Sequence, residues 1–242
     1  MLVDQEPLVS VIIPCYNHAQ FVQETIRSVV SQSYKNIEMI VIDDGSKDSS
    51  FEKVKELVST CEKRFVRFEL RSRPNKGLSA TLNEALSWCR GKYISPIASD
   101  DVMLPSKISV QVEYLNSNER CAGVFGGANV LSEKGGVLVS RSLEKKKYGF
   151  KQIINNRYSL FTASQLLRKS VVLAVGGYKE GVILEDWYMY LKITQSGYSL
   201  DSVSDILVGY RRHGGNTSSN YVVMHRERKE ILREYSEHPY YR

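Results

Sequence analysis

The sequence predicts an α/β fold: a doubly wound, mainly parallel sheet followed by a mixed second half. Three observations carry that prediction. Over the first hundred residues, short β-branched runs alternate with stretches of helical periodicity in the order β-α-β-α-β-α-β. The clearest runs are nearly continuous in apolar residues, as in strands covered on both faces. Three of them end in polar or acidic residues, at the edge where open α/β sheets bind their ligands.

Leu8 to Pro14 (LVSVIIP) is a β-branched run closed by a proline, which suits a buried strand whose last residue leaves the sheet. In the turn that follows, Asn17 with Gln20 three residues later reads as a capping box for a helix from about His18 to Ser33, with Val22, Ile26, Val29 and Val30 at helical spacing. Ile37 to Ile42 (IEMIVI) is a second strand ending in Asp43-Asp44-Gly45-Ser46. Phe51, Val54, Leu57, Val58 and Cys61 then mark one face of a second helix, and Phe65 to Leu70 alternates as a third strand. Arg73-Pro74-Asn75-Lys76-Gly77 is a turn, followed by a third amphipathic helix carrying Leu78, Leu82, Ala85, Leu86 and Cys89. The fourth run, Tyr93 to Ala98, stops at Ser99-Asp100-Asp101.

Beyond Asp101 the pattern changes. Pro105 to Asn116 reads as helix, and Gly123 to Leu131 with Val137 to Ser140 as a hairpin turning at Glu133 to Gly136. The charged segment Arg141 to Tyr148 reads as an exposed loop. Leu160 to Leu167, Asp186 to Ser196 and Tyr198 to Tyr210 follow as strand, helix and one or two strands. Val223, Ile231 and Tyr235 give a last helix, from about Tyr221 to Ser236. With no internal repeat and no low-complexity linker, one domain over 1–242 is the economical division: a ligand-binding half to about 101, a second half to about 218, and a terminal helix.

The 242 residues are 42% apolar, enough for a substantial core, and a net charge of +6 favours anionic partners. Nucleic acid, acidic membrane surfaces and phosphorylated substrates all fit that charge. No aromatic-basic array or nucleic-acid motif accompanies it, so nucleic acid is not expected as a partner. Four widely spaced cysteines without CxxC read as reduced, buried thiols. Residues 1–10 lack the basic and apolar regions of a signal peptide, and no apolar stretch approaches the ~20 residues needed to span a bilayer. The expected location is therefore the cytoplasm, with room for peripheral contact with the cytoplasmic face of the inner membrane.

Adjacent carboxylates at the end of a buried strand are costly unless a cation sits there, so Asp100-Asp101 suggests a divalent metal holding a diphosphate; the plain alternative is a solvated turn before the Pro105 helix. Pro14, Tyr16 and Asn17 form either a turn with an N-cap or the apolar and aromatic walls of a nucleobase pocket. Asp44 is either a helix-entry residue or a carboxylate able to accept the N3–H of a uracil ring. Glu185-Asp186 opens a helix whose dipole favours acids, yet an acid beside aromatic residues also suits a general base for an incoming hydroxyl. Tyr210-Arg211-Arg212-His213-Gly214-Gly215 closes a strand with two arginines that read as solvated and a histidine that is either structural or a further metal or phosphate ligand, the glycines allowing close backbone approach.

In order and spacing, VSVIIPCYN, VIDDGS, NKGLSATLNEAL, GKYISPIASDD, GGYKEGVILEDWYMYLKI and YRRHGGNTS resemble family 2 of the inverting nucleotide-sugar glycosyltransferases. The resemblance spans nearly the whole chain and implies the Rossmann-like GT-A fold, whose second half binds the acceptor. It implies that Pro14, Tyr16 and Asn17 line the base and ribose pocket and that Asp44 holds the uracil. Ser99-Asp100-Asp101 stands at the DxD-like motif, implying Asp101 as ligand of Mn²⁺ or Mg²⁺, Asp100 near the ribose or donor sugar, and His213 as a further metal contact. Asp186 matches the catalytic base; Lys76, Ser99, Glu185 and Arg212 complete the expected substrate contacts. The donor would be a UDP-sugar, and the acceptor a glycan or lipid-diphosphate-linked sugar. No QxxRW motif follows Glu185-Asp186, which implies transfer of a single sugar rather than processive synthesis.

Rival enzyme classes want features that are missing here. A nucleotidyltransferase needs a Gly-rich basic loop after the first strand, and a dinucleotide oxidoreductase needs GxGxxG there; PCYNHAQF supplies neither. A catalytically silent sugar-nucleotide or glycan-binding module remains as the non-enzymatic alternative.

Overall fold

In the computed structural model, which describes residues 6–216 and 221–241, one ten-stranded sheet runs through both halves of the chain. Its first half is the parallel ladder β3 (Arg67–Ser72), β2 (Ile37–Asp43), β1 (Val9–Cys15) and β4 (Tyr93–Pro96). The continuous apolar runs are explained by two cores. Val9, Val11, Ile13 and Cys15 of β1, with Met39 and Val41 of β2, face α1 (Val22–Val30), α2 (Ser50–Lys55) and α3 (Val58–Arg64). Ile12, Ile40 and Ile42 point the other way, onto Leu82, Ala85 and Leu86 of α4 (Leu78–Trp88). Each fully buried aliphatic side chain contributes about 1.5–3 kcal/mol.

The strand order reverses at β1 and β4, the switch point at which such sheets open a ligand crevice. Across it, β5 (Val102–Met103) and α5 (Lys107–Ser117) lead into the second half. There β6 (Cys121–Leu131) and β10 (Ser199–Arg211) form a long parallel pair, joined to β4 through the antiparallel β9 (Leu166–Arg168). The hairpin β6–β7 (Val137–Arg141) forms as predicted. Buried Lys107 donates to Ser95 Oγ, Gln111 Oε1 and the Gln165 carbonyl at 2.7–3.0 Å, tying β4 to the segment before β9. α6 (Phe150–Ile154) and α7 (Lys169–Ala174) pack against α8 (Glu185–Gln195). α9 (Tyr221–Arg233) docks beside α8: Arg228 lies 4.6 Å from the Trp187 ring and Glu227 accepts the Ile183 N–H at 2.9 Å.

Several expected boundaries move for physical reasons. Asn17 and Gln20 do not form a capping box. Asn17 sits at φ +53° and its Oδ1 accepts the Lys47 N–H, tying the β1 loop to the β2 loop, so α1 begins only at Val22. The predicted second helix breaks into two short ones at Glu56 and Leu57. Phe65 ends α3 and turns into the core, so the third strand starts at Arg67, where the ladder with Glu38 begins. The charged segment after β7 is not all exposed loop: Leu143 and Tyr148 are buried, and β8 (Lys146–Tyr148) pairs with β10. Leu160 to Leu167 is mostly not strand, since Thr162–Ser164 is a 3₁₀ turn before β9. Thr217 and Ser218, part of the last expected motif, lie outside the described residues.

Candidate active site

The carboxyl ends of β1, β2 and β4 open onto a cavity of about 450 Å³ lined by Pro14, Tyr16, Asp44, Asn75, Gly77 and Asp100, among others. Asp44, only 4% exposed, lies in its wall. Arg73 donates to its Oδ1, as does the Lys76 N–H at 2.8 Å, while the Gly77 N–H donates to Oδ2 at 3.0 Å. Gly45 lets the two loops meet: at φ +73°, a Cβ there would fall 2.7 Å from the Asn75 nitrogen. Tyr16, 42% exposed, stands at the mouth.

After β4 the chain turns and sets its two adjacent acids on different partners. Asp100 Oδ2 lies 2.8 Å from His213 Nε2, and the Asn216 amide reaches the same oxygen at 3.5 Å. Asp101 Oδ1 accepts the Arg211 N–H at 2.8 Å. His213, expected to share a metal ion with Asp101, places its imidazole on Asp100. Burial, with the Asp100 charge beside it, pushes Asp101 well above the usual carboxylate range. His18 enters from the β1 loop, its Nδ1 2.8 Å from Ser99 Oγ and its ring 5.6 Å from that of His213. Among the described residues, His18, Asp100 and His213 bring ligand atoms within 4.8 Å of one another. Nitrogen and carboxylate donors at that spacing fit a divalent ion.

Arg211 is the strut behind this cluster. It is 1% exposed, with Nε on the Asp100 carbonyl (2.8 Å), Nη1 on the Glu133 carbonyl (3.0 Å), Nη2 on Glu24 (2.7 Å), and its guanidinium 5.1 Å from the Phe21 ring.

A second cavity of about 340 Å³ continues the crevice and shares Pro14, Leu78, Ala98, Asp101 and Tyr210 with the first. Glu185 and Asp186, in the first turn of α8, line it together with Thr162. Thr162 Oγ1 donates to Asp186 Oδ2 at 2.6 Å and accepts from Tyr190 Oη at 3.3 Å, while the Trp187 N–H lies 2.6 Å from Asp186 Oδ1. Each Asp186 oxygen thus holds one bond and keeps capacity for another. Burial, and then the Asp186 charge, push Glu185 up to about 8, so it carries a proton at neutral pH. Unfolded glutamate titrates near 4.3. A raised carboxyl contributes stability that is complete below the unfolded value and is lost as pH rises through the folded one. Glu185→Gln is accordingly expected to melt like the parent near pH 4 and to gain on it progressively up to pH 8, by on the order of a few kcal/mol. Thermal melts across that range would show it; a constant offset would mean that Glu185 ionises normally.

The structure thus brings Pro14, Tyr16, Asp44, Ser99, Asp100, Asp101, Glu185, Asp186 and His213 to one crevice. It leaves three expected contacts out. Asn17 Oδ1 is held by the Lys47 N–H and Asn17 does not line the cavity, the Lys76 side chain lies at a separate surface depression with Glu84 and Glu180, and Arg212 is exposed while Arg211 points inward. His18, Arg73, Thr162 and Arg211 were not expected at the site. Only Arg211 had a signal, the two-residue period that places it on the same side of β10 as buried Leu207.

A parallel sheet opening at its switch point is joined to a mixed half with a carboxylate over a second chamber, which is the layout of the GT-A fold. The chain belongs to glycosyl transferase family 2, whose family model matches residues 10–175. It is similar to an uncharacterized glycosyltransferase of Haemophilus influenzae, 28% identical over 239 residues covering 94% of this chain and 73% of that one. It is equally similar, at 28% over 236 residues, to the Escherichia coli UDP-Glc:alpha-D-GlcNAc-diphosphoundecaprenol beta-1,3-glucosyltransferase WfaP, covering 94% of this chain and 84% of WfaP. Its fold matches Staphylococcus aureus TarS 1-349 in complex with UDP-GlcNAc (TM-score 0.73, 18% identity, 94% of this chain and 65% of that one). It also matches the Pyrobaculum calidifontis mannosyltransferase PcManGT in complex with GDP-Man and Mn²⁺ (TM-score 0.74, 15% identity, 96% and 64%). The chain therefore spans just under two thirds of those two structures. No described helix is long and apolar enough to cross a membrane.

Proposed function

We propose that this chain moves one sugar from a UDP-sugar to a hydroxyl of an acceptor glycan, inverting the anomeric centre. The observation that carries the reading is the continuous crevice, which runs from Asp44 past Asp100 and His213 to Asp186. In this reading the uracil lies against Pro14 and Tyr16, and Asp44 accepts its N3–H on a remaining lone pair. Asp100 and His213 would hold a Mn²⁺ or Mg²⁺ ion, which when bound neutralises charge on the diphosphate leaving group. Protonated Glu185 donates a hydrogen bond to a sugar hydroxyl beside the reacting centre. Asp186 takes the proton of the acceptor hydroxyl as its oxygen attacks the anomeric carbon from the face opposite the nucleotide. The bond from that carbon to the β-phosphate oxygen breaks, and UDP leaves with the electron pair.

WfaP, by its name, uses a GlcNAc-diphosphoundecaprenol acceptor, which supports a polyprenyl-diphosphate-linked sugar of a bacterial surface polysaccharide here. Such an acceptor brings the protein to the cytoplasmic face of the inner membrane. Exposed Arg226, Lys229 and Arg233 of α9 are the cations that helix offers an anionic leaflet, while Arg228 is turned onto Trp187.

The test is UDP release across a panel of UDP-sugars, with and without Mn²⁺ and a lipid-diphosphate GlcNAc or GalNAc acceptor. One donor is expected to give acceptor-dependent release that chelator abolishes. Asp100→Asn should remove the metal stimulation, about a hundredfold or more. Asp101→Asn should cost much less, because the amide oxygen still accepts the Arg211 N–H. Equal losses would return Asp101 to the ion, and transfer that survives chelation would remove the ion from the mechanism.

A further inference from the structure

We propose that His18 is a third protein ligand of the ion, so that the donor set is two imidazoles and one carboxylate. This rests on the reading of Asp100 and His213 as ion ligands and adds a residue that neither the sequence motifs nor the resemblance assigned. An ion holding nitrogen at about 2.0–2.1 Å and oxygen at about 2.0–2.2 Å sets neighbouring donors roughly 3–4 Å apart. The three ligand atoms already lie within 4.8 Å, and the His213–Asp100 edge is 2.8 Å. Small side-chain rotations would open that hydrogen-bonded edge and close the longer ones.

His18 is built into this position. Asn17 turns the chain at φ +53°, and the His18 N–H is fixed on Ser50 Oγ at 2.8 Å. Its Nδ1 lies 2.8 Å from Ser99 Oγ, a hydroxyl that accepts a hydrogen bond from the ring when Nδ1 carries the proton. That bond leaves Nε2 with its lone pair, as an outer partner does for a metal-bound histidine. The three ligands come from the ends of β1, β4 and β10, so the ion would clamp both halves of the sheet at the switch point. Two neutral imidazoles and one carboxylate leave a divalent ion with net positive charge, which the donor diphosphate answers. Imidazole nitrogen suits transition metals, whereas Mg²⁺ favours oxygen ligands. The site should therefore rank Co²⁺ and Mn²⁺ above Mg²⁺.

The experiment is binding of Mn²⁺, Co²⁺ and Mg²⁺ to the purified chain, with and without UDP, by calorimetry and electron paramagnetic resonance. Pulsed measurements on the Mn²⁺ form would count directly bound nitrogens. Two are expected in the parent and one each in His18→Ala and His213→Ala, with His18→Ala weakening Co²⁺ and Mn²⁺ by about tenfold or more and narrowing their lead over Mg²⁺. A parent signal from fewer than two nitrogens would overturn the assignment without any variant. So would parent-like Co²⁺ and Mn²⁺ binding in folded His18→Ala while Asp100→Asn loses both, an outcome that leaves the Asp100–His213 reading standing. Failure of the parent to bind any of the three ions, with or without UDP, would instead sink the metal reading itself.

Discussion

Asp186→Asn is expected to lower kcat for sugar transfer by about two to four orders of magnitude, the usual contribution of a positioned general base, while leaving donor affinity unchanged. The substitution is nearly isosteric, and an amide oxygen can still accept from Thr162 Oγ1, so the wall of the second cavity should persist. What is lost is the capacity to take a proton. The surroundings support that specific loss. Tyr190 Oη donates to Thr162, whose hydroxyl donates to Asp186, so the chain of donors points toward the carboxylate. Burial holds Tyr190 well above its ordinary range, which keeps its proton in place as the head of that chain. Acceptor-dependent UDP release, paired with calorimetry of UDP-sugar binding, separates the two effects. Near-normal turnover with normal donor binding would remove Asp186 from the chemistry.

Much of the fold was legible because β1 and β2 are buried on both faces, and their continuous apolar runs have no other economical use. The strand ends were legible as a site for a related reason: polar residues that halt such runs at one edge of a parallel sheet converge in space. Which of two neighbouring acids reaches the histidine was not legible. Asp100 and Asp101 share composition and position, and the turn after β4 decides which one reaches His213 and which reaches the Arg211 N–H. His18 and Thr162 lie in a turn and a 3₁₀ segment with no periodic signature, so their roles depend on loops closing across roughly 80 and 24 positions. Asn17 went the other way. A good capping residue by type, it is used for an inter-loop bond because the backbone there is left-handed.

Arg211→Ala should lower stability by about 2–5 kcal/mol, the range for truncating a large, fully buried side chain and leaving its acceptors unpaired, or about 10 °C in Tm for a chain of this size. No exposed arginine would cost as much. Arg211 is among the largest fully buried side chains, and its truncation strands the carbonyls of Asp100 and Glu133 while leaving Glu24 without this cation. It also removes the strut that joins the β6–β7 turn, α1 and the turn after β4, so Asp100 and His213 should lose their alignment. Arg211→Lys keeps the charge but cannot span three acceptors with one planar fork. Lysine is therefore expected to recover part of the stability and little of the Mn²⁺ affinity. Arg212→Ala is the control, since that side chain is exposed and its backbone N–H, which the substitution keeps, donates to the Leu131 carbonyl. Thermal melts and Mn²⁺ binding on the three variants decide the matter. If Arg211→Ala matched Arg212→Ala in both, the second half of the chain would not depend on Arg211 to hold its part of the site.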